Sequence, residues 1–178
     1  GAGTATSGYN VIIGNEAAEE VSSMSESTVV GYKAATSNTT GSHIIAIGYE
    51  AYDGADTENH NLAIGTAALG GSVAGGEYNV AIGNYALDAL TSADYNVAVG
   101  YNCMTNLTTG GYNHAIGRFA GDAVTDETFS VYIGYNAGDD YTGSQSIMIG
   151  SYTRHASSGN DEANAVCIGH SVNTGRGN

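Results

Sequence analysis

Ten times along the chain an apolar triplet ends on a glycine: Gly14, Gly31, Gly48, Gly65, Gly83, Gly100, Gly117, Gly134, Gly150 and Gly169. The intervals are 17, 17, 17, 18, 17, 17, 17, 16 and 19 residues, so the units fill the chain. Self-similarity at such a period marks a solenoid. Immediately before each glycine stands Ile or Val, and two places earlier the residue is again β-branched or Leu, except for His114. Alternation with a period of two puts both columns on one face of a short strand. That face is expected to fill the coil.

The residue between them is apolar as well: Ile12, Val29, Ala46, Ala63, Ala81, Ala98, Ala115, Tyr132, Met148 and Cys167. A strand apolar on both faces is buried on both. The expectation is that Ala46, Ala63, Ala81, Ala98, Ala115, Tyr132 and Met148 meet neighbouring chains. Because this column is Ala from 46 to 115 and larger beyond, the assembly is expected to narrow around Ala63 to Ala98. Three residues after the glycine Ala recurs (Ala17, Ala34, Ala51, Ala68, Ala86, Ala120, Ala137), which predicts a second, shorter strand with its small residue inward. Turn-forming stretches such as Thr39-Thr40-Gly41 close each unit. A helix over 84–90 is disfavoured, since seven residues between two glycine-marked strands leave little room. The fold class is therefore an all-β parallel β-roll of about ten 17-residue coils. At about 4.8 Å per coil it makes a rod on the order of 50 Å long. Residues 1–178 form one repeat domain, expected to belong to a longer fibre protein.

Composition narrows the partners. The 178 residues include 27 Gly, 13 Tyr and no Pro or Trp, and four Lys or Arg face 18 Asp or Glu, for a formal charge of −14. Such a surface repels nucleic acid and anionic lipid, whose binding rests on Lys and Arg. Without an apolar run near 18 residues, no helix is expected to insert in a membrane. Cys103 and Cys167 stand about four coils apart, too far to form a disulfide within one chain, and are expected to be small buried hydrophobes.

In the phrases Asn61-Leu62-Ala63-Ile64-Gly65, Asn79-Val80-Ala81-Ile82-Gly83 and Asn96-Val97-Ala98-Val99-Gly100, the sequence resembles the head domains of trimeric autotransporter adhesins. It is similar too to phage and bacterial fibre proteins carrying the same phrase. The resemblance implies a left-handed parallel β-roll, a homotrimer of chains side by side, and surface binding. It also implies an extracellular location, on a virion fibre or a bacterial cell surface. The period departs from the shorter family head repeat, and the Ser before Val is missing, so the family's particular ligands do not carry over.

Candidate binding residues are Tyr32, Tyr49, Tyr101 and Tyr135, which follow the glycine at a turn, where amphipathic rings make contacts. A second aromatic column lies five before the glycine: Tyr9, His43, His60, Tyr78, Tyr95, Tyr112 and Phe129. Its rings are expected to staple coil to coil, a sugar platform being the alternative. The adjoining Asn or Ser column is expected to form a hydrogen-bonded ladder. His43 and His60, one coil apart, lack a third ligand, so no metal site is assigned. The acidic groups at 53–58, 122–127 and 139–140 follow no calcium-loop pattern and are expected to be solvated turns. No nucleophile, phosphate-loop or metalloprotease motif occurs, so no enzyme activity, catalytic residue or cofactor is expected. The leading function is attachment to a host-surface glycan or protein. A passive shaft is the alternative, and ice binding lacks the Thr array it needs.

Overall fold

The computed structural model describes residues 8–139, 143–154 and 164–173. Ten three-residue strands form one parallel sheet in chain order, about 17 residues apart. They are β1 (Val11–Ile13), β2 (Thr28–Val30), β3 (Ile45–Ile47), β4 (Leu62–Ile64), β5 (Val80–Ile82), β6 (Val97–Val99), β7 (His114–Ile116), β8 (Val131–Ile133), β9 (Ile147–Ile149) and β10 (Val166–Ile168). Pairing keeps the repeat in register, so Ala63 lies beside Ala81 and Ala81 beside Ala98. Among the described residues there is no helix, and 84–89 is a turn.

The assignment of the two strand faces is the reverse of the expectation. Val29, Ala46, Ala63, Ala81, Ala98, Ala115, Tyr132, Met148 and Cys167 are fully buried within a single chain and join one core. The columns on either side face outward: Val11 and Ile13, Ile45 and Ile47, Val166 and Ile168 are all exposed. The physical reason is space. Where the facing turn sends a large side chain inward, a coil this tight leaves room only for a small mid-strand residue, and the flanking Ile and Val take the open side. The predicted narrowing of an assembly around Ala63 to Ala98 falls with this, because the size change is absorbed inside the roll. Where Tyr132 replaces Ala, the facing column has lost its side chains. A Cβ on Gly138 would stand 2.4 Å from Tyr132 Cδ1, and one on Gly121 3.1 Å from Tyr132 Cδ2. The same column carries Leu69, Leu87 and Met104 opposite the Ala strands.

The Ala column three after the glycine is inward as expected, with Cys103 in the same place and equally buried. It does not lie on a second strand. The segment is a turn in which left-handed residues alternate with ordinary ones, as at Glu16 and Ala18 (φ 56° and 47°) and at Lys33 and Ala35 (55° and 50°). Alternation flips successive peptides, so the chain bonds both neighbouring coils. Lys33 N–H donates back to the Asn15 carbonyl (3.1 Å) and Ala35 N–H forward to the Ala51 carbonyl (2.9 Å).

Two further columns hold the stack. The repeat glycines sit at positive φ, 145° at Gly100, where a Cβ would lie 2.4 Å from the Gly117 carbonyl oxygen. Glycine is thus demanded by coil-to-coil contact as well as by the bend. The Asn ladder forms as expected: the Oδ1 atoms of Asn61, Asn79, Asn96 and Asn113 accept from the backbone N–H of the next coil at 2.8–3.0 Å. Their Nδ2 groups donate to carbonyls at 2.7–3.0 Å. Buried amides with both ends satisfied are what the interior tolerates.

Candidate functional site

Each unit presents to solvent, in order, the residue five before its glycine, which is aromatic in seven of the ten, then the two outward strand positions and the post-glycine turn. The outward strand positions are aliphatic in eighteen of twenty cases, Thr28 and His114 being the exceptions, and none is Asp, Glu, Lys or Arg. The first aromatic row is stacked. His60–Tyr78, Tyr78–Tyr95, Tyr95–Tyr112 and Tyr112–Phe129 have centroids 4.9–5.0 Å apart and planes within 20°. His43 extends it, 4.6 Å from His60 and 2.9 Å from Glu26. Each of these residues adopts φ near 60°, which swings the ring onto the row.

The post-glycine tyrosines divide into two places. Tyr32 and Tyr49 form one pair at 5.6 Å. Lys33 lies 5.5 Å from the Tyr32 ring centre and 3.7 Å from Glu16. The charge of Tyr32 and then that of Glu16 raise the Lys33 pKa. A hydrogen bond to Glu50 raises that of Tyr49. Close by, Asp53 is pushed up to about 6, first by burial and then by Glu50. Asp53 and Asp88 flank Gly70, each with an oxygen 3.2 Å from where a Cβ on that glycine would be; burial raises Asp88 too.

Tyr101 and Tyr135 belong to a longer strip that crosses between two columns. Tyr85, Tyr101, Phe119, Tyr135 and Tyr152 follow one another at 5.1–6.3 Å with planes crossing at 65–87°, and His170 ends it, 6.2 Å from Tyr152. Arg118 lies over this strip, 4.5 Å from the centre of Phe119, 5.6 Å from Tyr101 and 5.8 Å from Tyr135. A hydrogen bond to Tyr135 raises the Tyr152 pKa. Sequence reading missed Tyr85, Arg118, Phe119 and Tyr152. The signal was there, since rings alternate between the first and second positions after the glycine in successive coils.

Among the described residues no three His, Cys, Asp or Glu side chains gather to hold a metal ion, and no helix is long and apolar enough to cross a membrane. Cys103 is buried, and burial raises its thiol to about 12. His155 and Asp140 lie outside the described residues. No protein-family model, curated protein or solved structure matches the chain.

Proposed function

We propose that this chain is the attachment domain of a trimeric fibre, displayed outside the cell on a virion or a bacterial surface, and that it binds a host-surface glycan or protein. The observation that carries the reading is the outward face of the sheet, aliphatic but for Thr28 and His114 and free of Asp, Glu, Lys and Arg. An exposed apolar face of this extent marks an interface. A second copy suits it: in a chain of formal charge −14, this is the surface where like chains meet without opposing charges. The interface is thus assigned to Val11 through Ile168 of the outward columns, in place of the mid-strand residues. The number three rests on the resemblance to autotransporter heads. Exposed tyrosines at the turns supply the contact side chains for a surface ligand, and no catalytic, metal or cofactor role is assigned.

Sedimentation of the isolated domain should give close to three times 18.0 kDa, and a glycan array probed with that species should show selective binding. A stable monomer would remove the interface. A trimer silent on the array and on host surface proteins would make the chain a passive shaft.

A further inference from the structure

We propose that the Arg118 strip is a binding site for a saccharide unit bearing a single carboxylate, such as a terminal uronic or sialic acid. The proposal rests on the attachment reading and gives it a ligand class. Arg118 is exposed, and among the described residues no carboxylate lies within ion-pair distance of it. Its guanidinium contacts the rings of Tyr101, Phe119 and Tyr135 instead. A guanidinium held over ring faces keeps its N–H donors available, and they match a carboxylate bidentately.

The rings supply the other half of the site. Two planes crossing at 65–87° cannot both lie across the rod axis, so in each pair at least one ring tilts a face toward the side of the rod. A sideways face beside a phenol hydroxyl receives the C–H face of a pyranose and bonds its hydroxyls. Ring spacings of 5.1–6.3 Å place successive faces one sugar ring apart.

Charge sets the limit of one carboxylate. The chain carries a formal −14, and Asp139 bears on Tyr152 in the sense opposite to Arg118. A polyanion would be repelled by that field, whereas one carboxylate meets one guanidinium. Lys33 over Tyr32 is no equivalent, because Glu16 already stands 3.7 Å from its ammonium.

The test is calorimetric titration of the assembled protein with 3′-sialyllactose and with a glucuronic-acid-capped disaccharide, against lactose and cellobiose as neutral matches. At least one acidic probe should bind at least tenfold more tightly than its neutral match. Arg118→Gln should weaken it tenfold or more with melting unchanged, and Arg118→Lys should restore part of it. Tyr135→Ala should weaken acidic and neutral probes alike. Acidic binding that survives Arg118→Gln would overturn the proposal, as would a monocarboxylate peptide held through Arg118 as tightly as the sugar. If array glycans bind independently of Arg118, the site falls and the attachment reading stands. If neither these probes nor any array glycan binds, this ligand class falls together with glycan attachment.

Discussion

From His60 to Phe129 the rings lie nearly face to face, 4.9–5.0 Å apart with planes within 20°. From Tyr85 to Tyr152 they cross at 65–87°. Both rows ride on the same coil spacing, yet they offer solvent different surfaces. In the stacked row each face is covered by the ring of the next coil, and only edges remain. That arrangement spends the aromatic surface on holding coils together. In the crossed strip the ring alternates between two backbone positions, so neighbours meet edge to face, and Arg118 lies over three of them. One repeat thus carries a stacked staple on one border of the sheet and, on the other, the crossed strip proposed as the contact surface. Which is which follows from ring geometry, not from residue type.

The largest test removes what both rows share. Gly100→Ala would put a Cβ 2.4 Å from the Gly117 carbonyl oxygen at a φ of 145°. With no room to shift, the next coil must separate, at a cost of several kcal/mol. Far-UV circular dichroism should show loss of the sheet. A native-like spectrum and melt would mean that the rows do not depend on the glycine spine.

The next pair of substitutions separates the rows. Asn replaces Tyr95 well, because it tolerates the left-handed backbone and already occupies that column at Asn164 (φ 71°). Tyr95→Asn deletes two stacked contacts, at about 0.5–1.5 kcal/mol each, so melts should report a loss of about 1–3 kcal/mol. Saccharide binding should be unchanged. Tyr135→Ala also deletes two ring contacts, at about 0.5–1.5 kcal/mol each, but should weaken binding as well. If Tyr95→Asn weakened binding too, or Tyr135→Ala left it unchanged, the division between staple and contact surface would be wrong.

Much of this organisation was legible in the sequence, and its gaps have physical causes. Period, strand positions, glycine spine and Asn ladder each follow from one residue type recurring in one column. The facing of the strands did not, because a triplet such as Val80-Ala81-Ile82 is apolar throughout and alternation alone has no sign. The sign lay in size and in compensation: Tyr132 sits opposite Gly121 and Gly138, a pairing that makes sense only across an interior. The predicted second strand failed because left-handed conformation at Lys33 or Ala35 leaves no mark in composition. The strip went unseen since its rings change column from coil to coil.

The tyrosine pair near the start of the chain sharpens the comparison from another side, because acids crowd it. Asp53, pushed up to about 6 by burial and by Glu50, has a folded pKa above its unfolded value. Its contribution to stability is full below about pH 4 and is lost as pH rises through 6. Asp53→Asn should therefore stabilise the fold at pH 7.5 by about 1 kcal/mol, discounted for partial solvation. The gain over wild type should shrink toward zero at pH 4. Melts at the two pH values check the sign, and a gain that grew with acidity would refute it.

The smallest effect is expected at Lys33, and it is the control on which the reading of Arg118 depends. Both cations lie over tyrosine rings following a repeat glycine, 5.5 Å from the centre of Tyr32 for Lys33 and 5.6 Å from that of Tyr101 for Arg118. If a cation above a ring sufficed for the carboxylated sugar, Lys33→Gln would weaken binding as Arg118→Gln does. Lys33 differs in two respects. Its ammonium has Glu16 at 3.7 Å and feels Glu50 as well, so an incoming carboxylate would have to compete with a carboxylate already in place. Its ring pair stands alone, with Tyr32 and Tyr49 tilted by only 30°, and opens little face to a sugar. Lys33→Gln should change acidic-saccharide affinity by less than twofold. A loss comparable to that of Arg118→Gln would show that net positive charge alone attracts the ligand, and that the crossing of the rings has no part in recognition.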